Sequence, residues 1–194
     1  MREISLHLLD IAENSVSAGA TDIQIRVHED HEKDLLESVI LDNGKGMDSE
    51  TVAQVIDPFF TSRTTRKVGL GIPLLKATAE ICDGALTIQS SPGVGTQIIV
   101  KFKYSHIDRM PLGDLSSTFV SLLVAYPDIN WFFEYTITPS DQAAPPRKFT
   151  FENQPFRDAL AGCSYSEPTI LGYLREFFEN GIHEVEKPLT QVNV

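Results

Sequence analysis

The 194-residue sequence predicts an α+β fold: a two-layer α/β sandwich with helices on one face of a mixed sheet, followed by a small α+β C-terminal region. Three observations lead there. Segments of helical apolar period stand before and between pairs of alternating segments; a long aperiodic loop interrupts the first half; and the character of the chain changes after Tyr104.

The first helix is expected from Ile4 to Ala18. Ile4, Leu8, Ile11 and Ala12 follow helical spacing, His7, Asp10 and Asn14 form the opposite polar stripe, and Gly19 takes the C-terminal cap position. "TDIQIRVHED" alternates as a half-buried strand and "LESVILDNG" is a second, joined by the acidic "EDHEKD" as a solvated hairpin connection. "DSETVAQVI" predicts a short helix capped by Asp48 or Ser49. "DPFFTSRTTRKVGLG" has neither period and reads as a long loop, a feature that in compact domains usually carries function. A helix from about Ile72 to Cys82 follows, with Pro73 tolerated in its first turn, and "GALTIQSSPGVGTQIIVKFKY" gives two strands around a Pro-Gly turn.

The domain boundary is set by residues 105–113, whose Pro and Gly content marks a linker between a domain at 1–104 and a C-terminal one at 114–194. "LSSTFVSLLVAY" is a helix behind an Asp114 cap, "INWFFEYTIT" a strand, and "FTFENQPFRDALAG" a strand leading to a short helix. "SEPTILGYLREFFENG" is a helix capped at Ser166 and stopped at Gly181. The region is rich in Phe and Tyr and needs its own core or a surface to cover.

The formal charge of −11 is shared by both halves: residues 1–104 carry 10 basic and 15 acidic side chains, and residues 105–194 carry 6 and 12. So few cations cannot build a basic face, which argues against nucleic acid as a partner. Cys82 and Cys163 stand far apart without neighbouring histidines, giving neither a disulfide framework nor a zinc site. With no cleavable leader pattern and no apolar run long enough to cross a bilayer, the expectation is a cytoplasmic protein with no membrane partner.

The chemistry rests on three segments. Asp10 and Asn14, four residues apart on one helix, point a carboxylate and an amide the same way. "DNGKGM" puts Asp42 at a strand end before Gly44 and Gly46, where backbone can approach a ligand; a carboxylate there suits an exocyclic amine. "GLG" at Gly69 to Gly71 opens into a helix, offering backbone N–H donors and a favourable dipole to phosphate.

In this order, "LLDIAENSVSAGATDI", "LDNGKGM", "DPFFTSR", "GLGIPLLK" and "GVGTQIIV" resemble the ATP-binding domain of type II topoisomerases, heat-shock chaperones, sensor histidine kinases and mismatch-repair ATPases, the GHKL or Bergerat fold. The resemblance covers about residues 1–104. It implies ATP and Mg²⁺ as ligands, with Asn14 on the metal and Asp42 accepting from adenine's amine. It further implies that Gly44 and Gly46 let the backbone approach the base, that Gly69 and Gly71 shape a lid around the phosphates, and that Thr96 joins Asp42 in a water-bridged contact to adenine. A metal held mainly by phosphates needs only one or two protein oxygens.

Two positions depart from the histidine-kinase pattern. Lys67 replaces the first lid glycine, and Arg63 stands where related sequences often carry lysine; each reads equally as a charge closing on the γ-phosphate or as a solvated lid cation. ATPases of this family activate water with an acid four residues before the metal-binding Asn, usually Glu, and here that position is Asp10, one methylene shorter. Glu13 points about a quarter-turn away. "SHIDRMPL" imitates a histidine-kinase phosphoacceptor box, but it follows the domain instead of preceding it and carries Ile107 where an acid is usual, so His106 reads as a linker residue.

Two functions follow from the resemblance: a soluble ATPase or protein kinase acting on an unidentified partner protein recognised by residues 105–194, with a homodimer as a further option, or an ATP-controlled interaction module with little turnover.

Overall fold

In a computed structural model, which describes residues 3–57, 71–160 and 164–187, the alternating segments become six strands of one sheet. Its elements run α1 (Ile4–Ser17), β1 (Asp22–Asp30), β2 (Leu35–Asp42), α2 (Ser49–Val55), α3 (Gly71–Ile81), β3 (Ala85–Ser91), β4 (Gly95–Lys103), α4 (Leu115–Ala125), β5 (Asn130–Thr138), β6 (Arg147–Glu152), α5 (Asn153–Ala159) and α6 (Pro168–Glu186). The strand order is β3-β4-β2-β1-β5-β6. All neighbours are antiparallel except β1 and β5, which pair in parallel from Asp22↔Asn130 to Asp30↔Thr138. A parallel neighbour requires a crossover, and the chain between β4 and β5 contains α4.

One sheet face is dry. Ile23, Ile25 and Val27 of β1, Leu36 and Ile40 of β2, Val100 and Phe102 of β4, and Trp131, Phe133 and Tyr135 of β5 are buried with Leu8 and Ile11 of α1, Leu75 of α3, Phe119 and Leu122 of α4, and Leu174 and Phe178 of α6. The Phe119 and Phe133 rings stack 4.3 Å apart, and Phe178 meets Phe133 edge-on at 5.9 Å. Side chains of this size contribute about 1.5–3 kcal/mol each on full burial, so the aromatics of β5, α4 and α6 are a major part of the core. The opposite face is half-exposed, as Leu41 at 39% shows, and Arg26 lies over the Phe132 ring there at 5.3 Å.

The C-terminal residues therefore extend the first sheet, and their aromatic side chains join the core shared with residues 3–104 instead of forming a sheet of their own. Residues 105–113 also have a structural task. No side chain caps α1 at Glu3, and the Ile4 and Ser5 N–H groups instead donate to the Pro111 and Leu112 carbonyls at 3.0 and 2.8 Å. Asp48 and Asp114 cap their helices as expected, accepting from the Thr51 and Ser117 N–H groups.

Two helix ends differ from expectation. The last helix starts behind Glu167 with Pro168 in its first turn, not at Ser166, and it runs through Gly181 to Glu186. Gly181 is a packing residue: a Cβ there would lie 2.2 Å from Cε2 of Phe149, so its missing side chain admits the ring. Among the described residues no helix is long and apolar enough to cross a membrane.

Candidate functional site

The strand register builds the site around Asp42. Asp42 ends β2 opposite Ile23 of β1 and Thr96 of β4, and only 8% of its surface is exposed. Ser15 Oγ on α1 donates to Oδ2 at 2.6 Å, and the Gly44 and Thr96 N–H groups donate to Oδ1 at 2.9 and 3.2 Å. A carboxylate offers about four acceptor positions. Three are taken, which leaves one for a ligand donor and fits a single exocyclic amine.

Around Asp42 the chain packs backbone on backbone, and glycines make that possible. Gly46 has φ +64°, and a Cβ there would fall 1.9 Å from the Ser91 carbonyl oxygen; Gly95 has φ +132°, and its Cβ would fall 2.0 Å from the Asp42 carbonyl oxygen. Both positions combine a left-handed backbone with a close approach, so both require glycine. At Gly44 a Cβ would come within 3.1 Å of Asp42 Oδ1 and the Ala18 carbonyl oxygen, crowding the same wall. Thr96 Oγ1 lies 2.9 Å from Ser90 Oγ, which accepts from the Met47 N–H at 2.8 Å. Thus Asp42, Gly44, Gly46 and Thr96 come together.

A second polar network ties this wall to the C-terminal strands. Asn43 Oδ1 accepts from the Thr21 and Asp22 N–H groups, and its amide donates to Asp22 Oδ2, whose partner oxygen accepts from Asn130 Nδ2. The Asn130 amide foremost, then Thr21, holds the Asp22 carboxyl below the usual carboxylate range. Arg157 on α5 continues the chain by donating to Asn130 Oδ1 and the Asp128 carbonyl.

The α1–α3 contact is built differently. Gly71 opens α3, and a Cβ on it would collide with Asp10 Oδ2 at 1.8 Å, so the Asp10 carboxylate lies against the first backbone unit of that helix. That oxygen is buried without a hydrogen-bond partner among the described residues. His7, expected on the polar stripe, is 2% exposed, and its Nδ1 is likewise buried and unpartnered among the described residues. Burial pushes the His7 pKa down, against smaller upward effects of Asp10 and of a hydrogen bond to the Gly71 backbone. Asn14 and Glu13, a turn further on, are exposed. An exposed amide of this kind could supply one metal ligand, the small protein share that Mg²⁺ usually accepts. Arg63, Lys67 and Gly69 lie outside the described residues. His106 sits in a turn with its Nδ1 accepting from the Asp108 N–H, not on a helix.

Ser15, Gly95 and His7 are the site neighbours that the sequence reading leaves out. "GVGT" quotes Gly95, but only the 42↔96 register brings its backbone to Asp42.

With this geometry in view, the family model described as histidine kinase-, DNA gyrase B-, and HSP90-like ATPase matches residues 2–106. The "Non-motile and phage-resistance protein" of Caulobacter vibrioides is 30% identical over 117 residues, covering 56% of this chain and 14% of that protein. "Sensor protein kinase FleS" of Pseudomonas aeruginosa is 39% identical over 89 residues, covering 46% and 22%, and "Sensor histidine kinase YvrG" of Bacillus subtilis is 29% identical over 94 residues, covering 46% and 16%. The chain therefore matches only a minor part of each relative's length. Among solved structures, the N-terminal domain of a DNA repair protein superposes with a TM-score of 0.52 at 11% identity, covering 78% of this chain and 52% of that one, a likeness of fold alone.

Proposed function

Because the chain belongs to the histidine kinase-, DNA gyrase B- and HSP90-like ATPase family, whose domain implies an ATP site, we propose that residues 3–104 bind Mg-ATP and that the protein acts on a partner protein as an ATPase or protein kinase. The observation that carries the nucleotide reading is Asp42: a nearly buried carboxylate with three donors, one acceptor position left, and Gly44 beside it where a Cβ would crowd Oδ1. In this reading Asp42 takes adenine's amine and Thr96 steadies the carboxylate through its N–H. Gly71 presents the α3 N-terminus to phosphate, and Arg63, Lys67 and Gly69 belong to the lid. Asn14 would hold Mg²⁺ beside the phosphates, and the ion would supply charge neutralisation there. Asp10 is the candidate base toward water.

A second reading is favoured by the same Asp10: its Oδ2 is buried against Gly71, and its side chain is one methylene shorter than the usual glutamate. A base must stand within hydrogen-bond reach of its water. A module that holds ATP, changes its lid and turns over slowly fits that placement.

Measuring phosphate release and nucleotide affinity for two variants separates the readings. On the enzyme reading, Asp10→Asn lowers release at least about tenfold while affinity stays within about twofold, the signature of a group used only in the reaction. On the module reading, Asp10→Asn leaves the slow release unchanged. In both, Asn14→Ala abolishes Mg-dependent binding; undiminished Mg-ATP affinity in that variant removes the metal assignment.

A further inference from the structure

We propose that the groove between the outer edge of β6 and α6 receives an extended, basic segment of a partner protein as a seventh strand of the sheet. β6 ends the strand order, and among the described residues its one strand neighbour is β5. An edge of this kind is a template for another strand. Beside it, Phe149 and Thr150 of β6 and Tyr173, Phe177 and Gly181 of α6 line a groove.

The groove wall is aromatic and open. Tyr173 is 56% and Phe177 37% exposed, and they are the two aromatics among the large apolar side chains that the described residues expose. They are also held in place: Tyr173 stacks on Phe156 at 6.0 Å, and Phe177 packs on Phe149 at 5.5 Å and on Phe151 at 5.8 Å. A preformed aromatic wall needs little ordering when it is covered, which favours binding. In an added strand, alternate side chains fall on the aromatic wall while the main chain pairs with β6.

Charge selects the occupant. The polar rim is Glu176, Glu184 and Asn180; among the described residues no cation lines the groove, and Lys187 pairs with Glu184 from beyond it, which leaves Glu176 as the rim's unshared charge. A second copy of this chain would bring one acidic rim against another, whereas a segment with Lys or Arg between apolar residues matches both the rim and the wall. The assignment rests on the proposed function only in taking the partner to be a protein; it does not depend on ATP.

The test is selection by the full chain from a library of extended peptides roughly eight residues long, a usual strand length. Selected peptides are expected to alternate apolar residues with Lys or Arg. Their binding should fall at least about tenfold for Tyr173→Ala/Phe177→Ala, the loss typical of an anchoring aromatic. N-methylation of alternate peptide amides should produce a similar loss, and Glu176→Lys/Glu184→Lys should turn the preference toward acidic peptides. All four side chains are exposed, and unchanged unfolding midpoints verify the fold of each variant. ATP affinity, measured separately, should not move; a wild-type chain that binds peptide but no ATP removes the nucleotide reading and leaves this one standing. Selection no better than for scrambled peptides, or selection insensitive to these substitutions, overturns the proposal. So does a concentration-dependent dimer that the aromatic variant dissolves, which assigns the edge to a second copy.

Discussion

Asp42 and Asp10 are two carboxylates on the buried side of the same domain, and their surroundings are opposite. Both Asp42 oxygens are met by donors from α1, the β2 end and β4. Asp10 Oδ2, packed on Gly71, meets none among the described residues, and His7 one turn earlier repeats the pattern with a bare Nδ1. The Asp42 end is complete within the chain: its donors are backbone and a short hydroxyl, which need no reorganisation when a ligand arrives. The Asp10 end is polar and buried, with Asp10 Oδ2 and His7 Nδ1 unpartnered among the described residues. Satisfied groups rigidify and specify a structure, whereas unpartnered buried ones are costly and persist where function uses them. On the proposed function, the contrast is between grip and turnover.

The severest way to break the contrast is Asp42→Ala. It strips the acceptor from Ser15 Oγ and from the Gly44 and Thr96 N–H groups, and each orphaned buried donor costs about 1–3 kcal/mol. Several kcal/mol of stability should disappear in a denaturant titration, and ATP affinity by calorimetry should drop by about 100-fold or more, since a charged hydrogen bond is worth about 1.5–3 kcal/mol and its supporting wall goes with it. A variant that unfolds early yet keeps its affinity when folded makes Asp42 a structural acid and ends the comparison.

Next in size is Gly95→Ala. Its backbone at φ +132° is one that only glycine adopts readily, and the new methyl would fall 2.0 Å from the Asp42 carbonyl oxygen. Strain of this kind costs about 1–3 kcal/mol. Gly93→Ala is the internal control: φ is +75°, but nothing lies within 4 Å of the added carbon, so only the smaller left-handed penalty of about 1–2 kcal/mol applies. Equal midpoints for the two variants would show that the Gly95 approach to Asp42 is slack.

How much of this was legible in the sequence follows from the range of each signal. Asp42, Gly44 and Gly46 sit within five residues, and the turn that brings them together is written locally, so "DNGKGM" is enough to find them. Gly95 and Thr96 reach Asp42 only through a strand pairing across more than fifty positions, and no local pattern encodes a register. His7 falls on the polar stripe because helical periodicity sorts residues into faces without saying how many faces get covered; α1 is covered on its His7 side as well, where Gly71 of α3 meets it. Gly181 reads as a stop because glycine often ends helices, and here packing of Phe149 against it outweighs propensity. The continuation of the sheet past the linker depends on β5 choosing β1 as a parallel neighbour, a choice made by the shared core and invisible to composition.

The smallest effect tests the Asp10 side of the comparison through pH. Burial lowers the His7 pKa in the folded chain below its ordinary value near 6.5, while the unfolded chain keeps that value. Between the two, the unfolded state binds more protons. Stability therefore rises with pH across that window, is level above about pH 6.5, and falls as acid is added below it, with a slope of at most about 1.4 kcal/mol per pH unit for one group. Glu186 opposes this with its own sign: burial first, and Glu29 second, raise its pKa, so its contribution is present at low pH and lost as pH rises through the folded value. The two are separated by His7→Gln, which cannot titrate. Unfolding midpoints of wild type and variant, measured from pH 5 to 8, should converge in shape above about pH 6.5 and diverge below it, the wild type losing stability faster. Parallel curves would mean that His7 is protonated as easily in the folded chain as in the unfolded one; the α1–α3 contact would then be wet, and Asp10 would stand beside water after all.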